Sequence, residues 1–274
     1  MPRIAILQMT TGIDPAENAS LIIAAAAAAK AGGAQMLFTP EMSGLLDRDR
    51  KRAALHVVPE TENPVLTAVC DAARVNGIWI ALGSLAVAGQ GDGWANRSLV
   101  IDDRGAVVAR YDKMHMFDVD LASGESWRES NAYKAGNEVV TAETPLGRLG
   151  LTICYDIRFP ALFAALGRAG CDVIAIPAAF TVPTGRAHWH VLQRARAIEA
   201  SAFVVAAAQT GQHADGRATY GHSLVIDPWG EVLLDMGEEA GLGFADIDMG
   251  RIADVRRQLP SLANRRDIPK SSQQ

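Results

Sequence analysis

The sequence predicts an α/β fold in which two pseudo-equivalent helix–sheet layers stack as a four-layer αββα sandwich. Three observations point there. Short apolar runs alternate with helical stretches along the chain. The pattern of the first half recurs in the second. Each half places helices on one face of its sheet, so the other apolar face needs a partner, and stacking the two sheets buries both. A single doubly wound sheet with helices on both sides is the rival arrangement.

In chain order, residues 4–8 form a short apolar run that reads as a strand. Residues 14–30 read as a helix, with Asp14 as N-cap, Pro15 at its first position and Gly32-Gly33 as its stop. A buried strand over 35–39 ends at Pro40-Glu41, a helix over 63–75 follows, and then a strand over 77–86. Runs 97–101 and 106–111 form a hairpin across Asp102-Asp103-Arg104-Gly105. The stretch 112–144 is rich in Gly, Ser, Asn and Glu and has little periodicity, the mark of a functional or flexible loop. The second half then repeats the order: strand 148–154, helix 161–168 stopped by Gly170, strand 172–176 ending at Pro177, helix 188–201, strand 202–209. A hairpin closes it, 223–227 with 231–234, across Pro228-Trp229-Gly230. The string Ser-Leu-Val-Ile-Asp occurs at 98–102 and again at 223–227, which favours the sandwich over the doubly wound sheet. The chain reads as one domain over 1–274, with its core over about 3–250. The tail 251–274 starts as a helix, is expected to meet a second subunit, and frays over 270–274.

Composition excludes several function classes. The chain has 274 residues, 49% hydrophobic and 21% charged, which is ordinary for a globular protein. Its net charge of −5 and scattered cations, such as Arg256-Arg257 and Arg265-Arg266, do not suit a nucleic-acid surface. The longest apolar stretch, 21–29, is too short and too small-sided to span a bilayer, so no membrane partner is expected. The N-terminus begins in a strand pattern and not a signal peptide. The three cysteines are an odd count and read as reduced thiols, which together predict a cytoplasmic protein.

Chemistry concentrates at strand ends. Cys154 closes one strand and Pro160 opens a helix soon after. Such a turn holds a thiol outward near backbone N–H groups, which favour the thiolate. A buried structural cysteine is the alternative, and it is the better reading for Cys70 and Cys171. Glu41 follows a buried strand, where α/β enzymes place catalytic groups, although a capping or surface glutamate fits the position equally. Lys113 follows the first hairpin, where a solvated lysine is the default. Together the three supply what acyl transfer needs: a base, an electrophilic clamp and a nucleophile, with the Tyr155 N–H as second oxyanion donor. Tyr155, Phe180 and His188 lie in strings that should line the pocket, although structural packing around the site fits each equally, and Arg158 suits either a substrate carboxylate or a structural salt bridge or helix-start contact. Trp189 and Trp229 read as packing. No metal or other cofactor is expected, because no histidine–cysteine spacing is zinc-like and His188 and His190 diverge on a helix.

The strings around these residues are Phe38-Thr39-Pro40-Glu41-Met42, Tyr111-Asp112-Lys113-Met114-His115 and Ile153-Cys154-Tyr155-Asp156-Ile157-Arg158-Phe159-Pro160. Through them, and over residues 3–266, the chain resembles the nitrilase superfamily of carbon–nitrogen hydrolases. That resemblance implies an αββα sandwich, a homodimer or higher homo-oligomer, and a small-molecule amide substrate. It implies hydrolysis of a carboxamide to the acid and ammonia through a thioester. It also implies that Glu129 positions Lys113 and the substrate, with Glu125 as a nearby decoy. The strings over 179–189, 194–199, 206–211, 220–223 and 227–230 are most similar to the deaminated glutathione amidase branch. Arg186 stands where that branch has proline and His190 where it has glutamate. An omega-amidase acting on 2-oxoglutaramate or 2-oxosuccinamate is the alternative, as is an N-carbamoyl amine hydrolase. A true nitrilase fits the strings around Phe180 and His188 less well. A non-catalytic metabolite-binding protein has no need to retain all four of Glu41, Lys113, Glu129 and Cys154.

Overall fold

The computed structural model describes residues 1–269 except 90, 92, 123 and 125, so Glu125 and the fraying expected over 270–274 fall outside it. In chain order the strands and helices are β1 (Arg3–Gln8), α1 (Pro15–Ala31), β2 (Met36–Phe38), α2 (Arg50–Ala53), α3 (Pro64–Asn76), β3 (Trp79–Ala88), β4 (Trp94–Ile101) and β5 (Val107–Asp112). They continue with β6 (Asp118–Asp120), β7 (Ser126–Arg128), β8 (Thr141–Thr144), β9 (Gly147–Leu151), α4 (Pro160–Arg168), β10 (Val173–Ala175), α5 (Val182–Ala200) and β11 (Phe203–Ala206). The last are β12 (Thr210–Gln212), β13 (Ala218–Tyr220), β14 (Leu224–Ile226), β15 (Val232–Asp235), β16 (Gly241–Asp246) and α6 (Gly250–Gln258).

Two six-stranded sheets form, in the orders β16-β1-β2-β3-β4-β5 and β15-β14-β11-β10-β9-β8. Alternation along the strands decides which way each residue faces. Ile4, Ile6, Met36 and Phe38 join a core with β9, β10 and β11 residues such as Leu149, Leu151, Ile174 and Val204, so these faces of the two sheets pack together. Ala5, Leu7, Leu37 and Ile80 point the other way, against Ile22, Ala26 and Ala29 of α1 and Leu66 and Val69 of α3. Leu162, Phe163 and Leu166 of α4 and Trp189, Ala197 and Ala200 of α5 cover the second sheet. This is the αββα sandwich.

The repeated string marks equivalent strands. Leu99-Val100-Ile101 and Leu224-Val225-Ile226 are both fully buried, and each has a register shift before its last residue. The aspartate that ends each string closes the same turn. Asp102 Oδ1 accepts the Arg104 and Ala106 N–H groups at 3.0 and 2.8 Å. Asp227 Oδ1 accepts those of Trp229 and Glu231 at 2.9 and 2.8 Å. Caps set the helices as expected: Asp14 Oδ1 accepts from Ala16 at 2.8 Å, and α3 ends at Gly77 in the left-handed region with φ 57°.

Several expectations need correction. The loop over 112–144 contains the β6–β7 hairpin and the edge strand β8. The Gly-rich edge strand β16 pairs antiparallel with β1, so a segment from the second half completes the first sheet. Helix α5 begins at Val182, six residues before the predicted start, because Pro183 fits its first turn. Trp189 is buried, but Trp229 is half exposed at 50%, with the Arg251 guanidinium over its ring. Among the described residues, no helix is long and apolar enough to cross a membrane.

Candidate active site

The strand ends at which Glu41 and Cys154 were expected lie close together. The Glu41 turn is held by β3. Thr39 N–H donates to Ala81 O, Met42 N–H to Ser84 Oγ at 2.9 Å, and Ser43 N–H to Ser84 O at 3.0 Å. The backbones approach so closely here that a Cβ on Gly83 would collide with the Thr39 and Pro40 carbonyl oxygens. The β3–β4 register breaks at the same place, between Leu82 and Leu85. Gln209 clamps the turn from the other half: its Nε2 donates to Glu41 O at 2.9 Å and to Thr11 Oγ1 at 2.6 Å.

Cys154 opens a 3-10 turn, Cys154–Arg158, after β9. Its N–H donates to Pro177 O at 2.8 Å, and its φ of 48° is left-handed, a costly conformation for a residue with a side chain. Asp156 fixes the turn. Fully buried, it accepts from Ile153 N–H at 2.9 Å, Tyr111 OH at 2.7 Å and His115 N–H at 3.0 Å, and its Oδ1 lies 2.7 Å from His115 Nδ1. The Cys154 turn is therefore tied to the strand end that carries Lys113. Burial, and then the Asp156 carboxylate, hold the Tyr111 phenol far above its usual range, so it stays a donor.

Lys113 lies between two carboxylates. Its Nζ donates to Glu41 Oε1 at 2.9 Å and to Glu129 Oε2 and Oε1 at 2.8 and 3.0 Å. Burial opposes the ammonium, but Glu129 and then Glu41 outweigh it, so the Lys113 pKa is well above normal and the group stays charged. Glu129 Oε2 also accepts Phe117 N–H at 2.7 Å, and Glu41 Oε2 accepts Ala179 N–H at 3.0 Å. Asn96, which sequence reasoning missed, joins the pair: its Nδ2 donates to Glu41 Oε1 at 2.9 Å and to Glu129 Oε1 at 3.2 Å. Its Oδ1 is buried with no partner among the described residues, and its own carbonyl accepts Lys113 N–H at 2.9 Å. Asn96 sits in the first hairpin two residues before the repeated string, and no spacing signal marks it.

The thiol departs from the expectation of a thiolate. Burial pushes the Cys154 pKa well above the ordinary thiol value, and the Glu41 carboxylate adds to this. Lys113 and the Ala179 N–H act the other way without prevailing. The resting group is a neutral thiol beside a carboxylate. Such a pair can pass a proton, and the buried lysine next to it can meet a developing oxyanion.

A cavity of about 1010 Å³ opens over these groups, lined by Glu41, Asn96, Lys113, Glu129 and Cys154 and, around them, Tyr155, Arg158 and Phe180. The Arg158 guanidinium lies 5.8 and 5.4 Å from the Tyr155 and Phe180 ring centres. It has no carboxylate partner among the described residues, as an anchor for an acidic substrate requires. His188 does not reach the cavity. With α5 starting at Val182, His188 is exposed on its second turn and only its Nδ1 approaches Arg158, at 3.3 Å. The structure thus brings together seven of the eight predicted site residues.

The carbon–nitrogen hydrolase family matches residues 3–257. Over 268 residues the chain is 38% identical to a protein named deaminated glutathione amidase from Yersinia enterocolitica, covering 97% of this chain and 93% of that relative. The crystal structure of the C. elegans NitFhit protein superposes with a TM-score of 0.89 at 37% identity over 97% of this chain, which spans 65% of that longer chain. A variant of the amidase from Nesterenkonia sp. AN1 superposes with a TM-score of 0.80 at 27% identity, covering 95% of this chain and 98% of the other. That structure shows the result of Michael addition of acrylamide at its active-site cysteine.

Proposed function

The chain belongs to the carbon–nitrogen hydrolase family, and from that premise we propose that it hydrolyses the amide of deaminated glutathione through a thioester on Cys154. The observation that carries this reading is the convergence of Glu41, Lys113, Glu129 and Cys154 in one cavity with the unneutralised Arg158 on its wall. Glu41 takes the thiol proton as the sulfur attacks the carbonyl carbon. Lys113 Nζ and the Tyr155 N–H hold the oxyanion, each worth about 3–4 kcal/mol of transition-state stabilisation. Glu41 passes the proton to the leaving nitrogen, and the C–N bond breaks. Glu41 then deprotonates the water that cleaves the thioester, and the acid leaves.

Deaminated glutathione carries peptide amides, so its leaving group is the amine of cysteinylglycine; a primary amide would release ammonia. Cleavage of its first amide and of 2-oxoglutaramate would form the same 2-oxoglutaryl thioester. The two readings differ only in the leaving group. A cavity of about 1010 Å³ is at the upper end for small-molecule sites, which suits the larger one. In this reading Arg158, on the cavity wall, pairs with the carboxylate that both substrates share.

The test compares kcat/KM for deaminated glutathione, 2-oxoglutaramate, a simple aliphatic amide and an N-carbamoyl amine. The carboxylic acid product should be followed, because only some of these release ammonia. The proposal expects the highest value for deaminated glutathione and none in Cys154→Ala. A higher value for 2-oxoglutaramate, the aliphatic amide or the N-carbamoyl compound overturns the substrate, and turnover by folded Cys154→Ala overturns the nucleophile.

A further inference from the structure

Away from the cavity, three side chains from separate segments converge on one point. His190 of α5, His222 of the turn between β13 and β14, and Asp235 at the end of β15 offer ligand atoms that all lie within 4.8 Å of one another. Each carboxylate oxygen of Asp235 faces a different imidazole: Oδ2 lies 2.9 Å from His190 Nε2 and Oδ1 lies 2.9 Å from His222 Nδ1. None of the three lines the cavity. We propose that this cluster is a binding site for a borderline divalent transition-metal ion such as Zn²⁺, separate from the amidase centre.

The donor set carries the choice of metal. Two imidazoles and one carboxylate suit zinc and its neighbours, whereas magnesium and calcium take oxygen ligands. A tetrahedral ion with bonds of about 2.1 Å separates its ligand atoms by about 3.4 Å. The two nitrogen–oxygen separations are already shorter than that, so seating the ion opens them slightly. The side chains of His190 and Asp235 are each 35% exposed, and that of His222 is 21% exposed, which leaves an entry path and a water-facing fourth position.

The surroundings hold the ligands in place. Asp235 Oδ1 accepts Gly237 N–H at 2.9 Å, and His222 N–H donates to Gly237 O at 2.6 Å. His222 carries a φ of 55°, and its carbonyl accepts the Trp189 indole N–H at 2.7 Å. The Tyr220 ring stacks on the His222 ring, with centres 4.5 Å apart and planes 24° from parallel. A strained backbone, a capped carboxylate and a stacked ring all fix the direction of the imidazole, as support around metal ligands does. Sequence spacing does not reveal the site, because His190 pairs with a residue 32 positions away rather than with His188 on its own helix.

The experiment uses the full chain carrying Cys154→Ala, so that the active thiol does not compete for metal. After dialysis against a chelator, Zn²⁺ and Mg²⁺ are titrated by calorimetry, and Co²⁺ is followed by visible absorption. We expect one Zn²⁺ per chain, no saturable Mg²⁺ binding, and a Co²⁺ band of nitrogen–oxygen character. His190→Ala, on an exposed helix face, and Asp235→Asn, close in shape, should each weaken Zn²⁺ by about tenfold or more and abolish the Co²⁺ band, with unchanged circular dichroism. Equal Zn²⁺ affinity in His190→Ala, or no stoichiometric binding in the parent, overturns the proposal and leaves two histidines hydrogen-bonded to Asp235.

Discussion

Asn96→Ala tests whether the two carboxylates are a mechanical unit. The Asn96 amide gives one hydrogen to Glu41 Oε1 and the other to Glu129 Oε1, at 2.9 and 3.2 Å. Hydrogen bonds to charged groups contribute about 1.5–3 kcal/mol each when buried. Both oxygens keep the Lys113 ammonium, at 2.9 and 3.0 Å, so neither is orphaned and the loss falls to about that of a single such bond, 1.5–3 kcal/mol. If that energy holds Glu41 in line with the thiol, kcat falls by roughly 10- to 100-fold, at about 1.4 kcal/mol per decade. KM should change little, because Arg158 and the aromatic walls are untouched. Asn96→Asp should be worse than alanine, since it sets a third carboxylate beside one ammonium. The assay is the steady-state release of acid from the best amide substrate, with a thermal melt to confirm folding. A folded Asn96→Ala chain with wild-type kcat, or an Asn96→Asp chain more active than the alanine variant, refutes the reasoning.

Three further outcomes follow from the same geometry. Glu41→Gln should lose amidase turnover yet leave a reactive thiol; because the Glu41 carboxylate raises the Cys154 pKa, its removal moves the pH profile of acrylamide addition to lower pH, and an upward or absent shift contradicts the assignment. Asp156→Ala orphans the Ile153 and His115 N–H groups and the Tyr111 hydroxyl, each costing about 1–3 kcal/mol, so stability should fall by roughly 3 kcal/mol or more, read as a fall in urea midpoint. Arg158→Leu should raise KM for acidic amides by about tenfold or more, equivalent to the ~1.5–3 kcal/mol of a charge-assisted hydrogen bond, while leaving kcat for a neutral aliphatic amide unchanged; equal KM effects on both substrates would remove Arg158 as the anchor.

The two-layer scaffold was legible because each half spells the same order of strand, helix and hairpin. The buried Leu-Val-Ile triplets and their closing aspartates, Asp102 and Asp227, are chemically the same turn written twice. The edge strands were not legible. β8 lies in a polar stretch, and β16 reads Gly-Leu-Gly-Phe-Ala-Asp, so neither has the apolar alternation of a half-buried strand. Their pairing comes from unsatisfied backbone on β9 and β1, which is a tertiary fact. In the site, Glu41, Lys113 and Cys154 were visible as reactive types at strand ends, and family strings added Glu129. Asn96, Asp156 and Gln209 were not, because each acts by holding groups 41 to 198 residues away in the chain; the shorter Asn96–Glu129 and Asp156–Ile153 contacts are equally silent in spacing. His188 failed for a geometric reason: the helix started early, and the side chain turned outward.

The electrostatics explain why four ionisable groups are gathered where acyl transfer asks for three: a base, a clamp and a nucleophile. A thiol buried beside one carboxylate resists ionisation, and a buried carboxylate pair repels itself. Lys113 joins Glu41 and Glu129, so the resting cluster holds two negative charges, one positive charge and a neutral thiol. In the proposed mechanism, when Glu41 takes the proton the negative charge moves to sulfur and the sum does not change. Transfer within the cluster therefore avoids the cost of creating net charge in a dry site. The same step frees Lys113 from part of its hold on Glu41 just as the carbonyl oxygen begins to need a cation. Glu129 keeps two hydrogen bonds to that ammonium throughout, so it stays in place. On this argument Glu129→Gln fails at oxyanion stabilisation more than at proton removal. Its thiol should still be alkylated at a rate near that of the unaltered chain while amide turnover collapses, and parallel losses in both would show that Glu129 instead tunes the base.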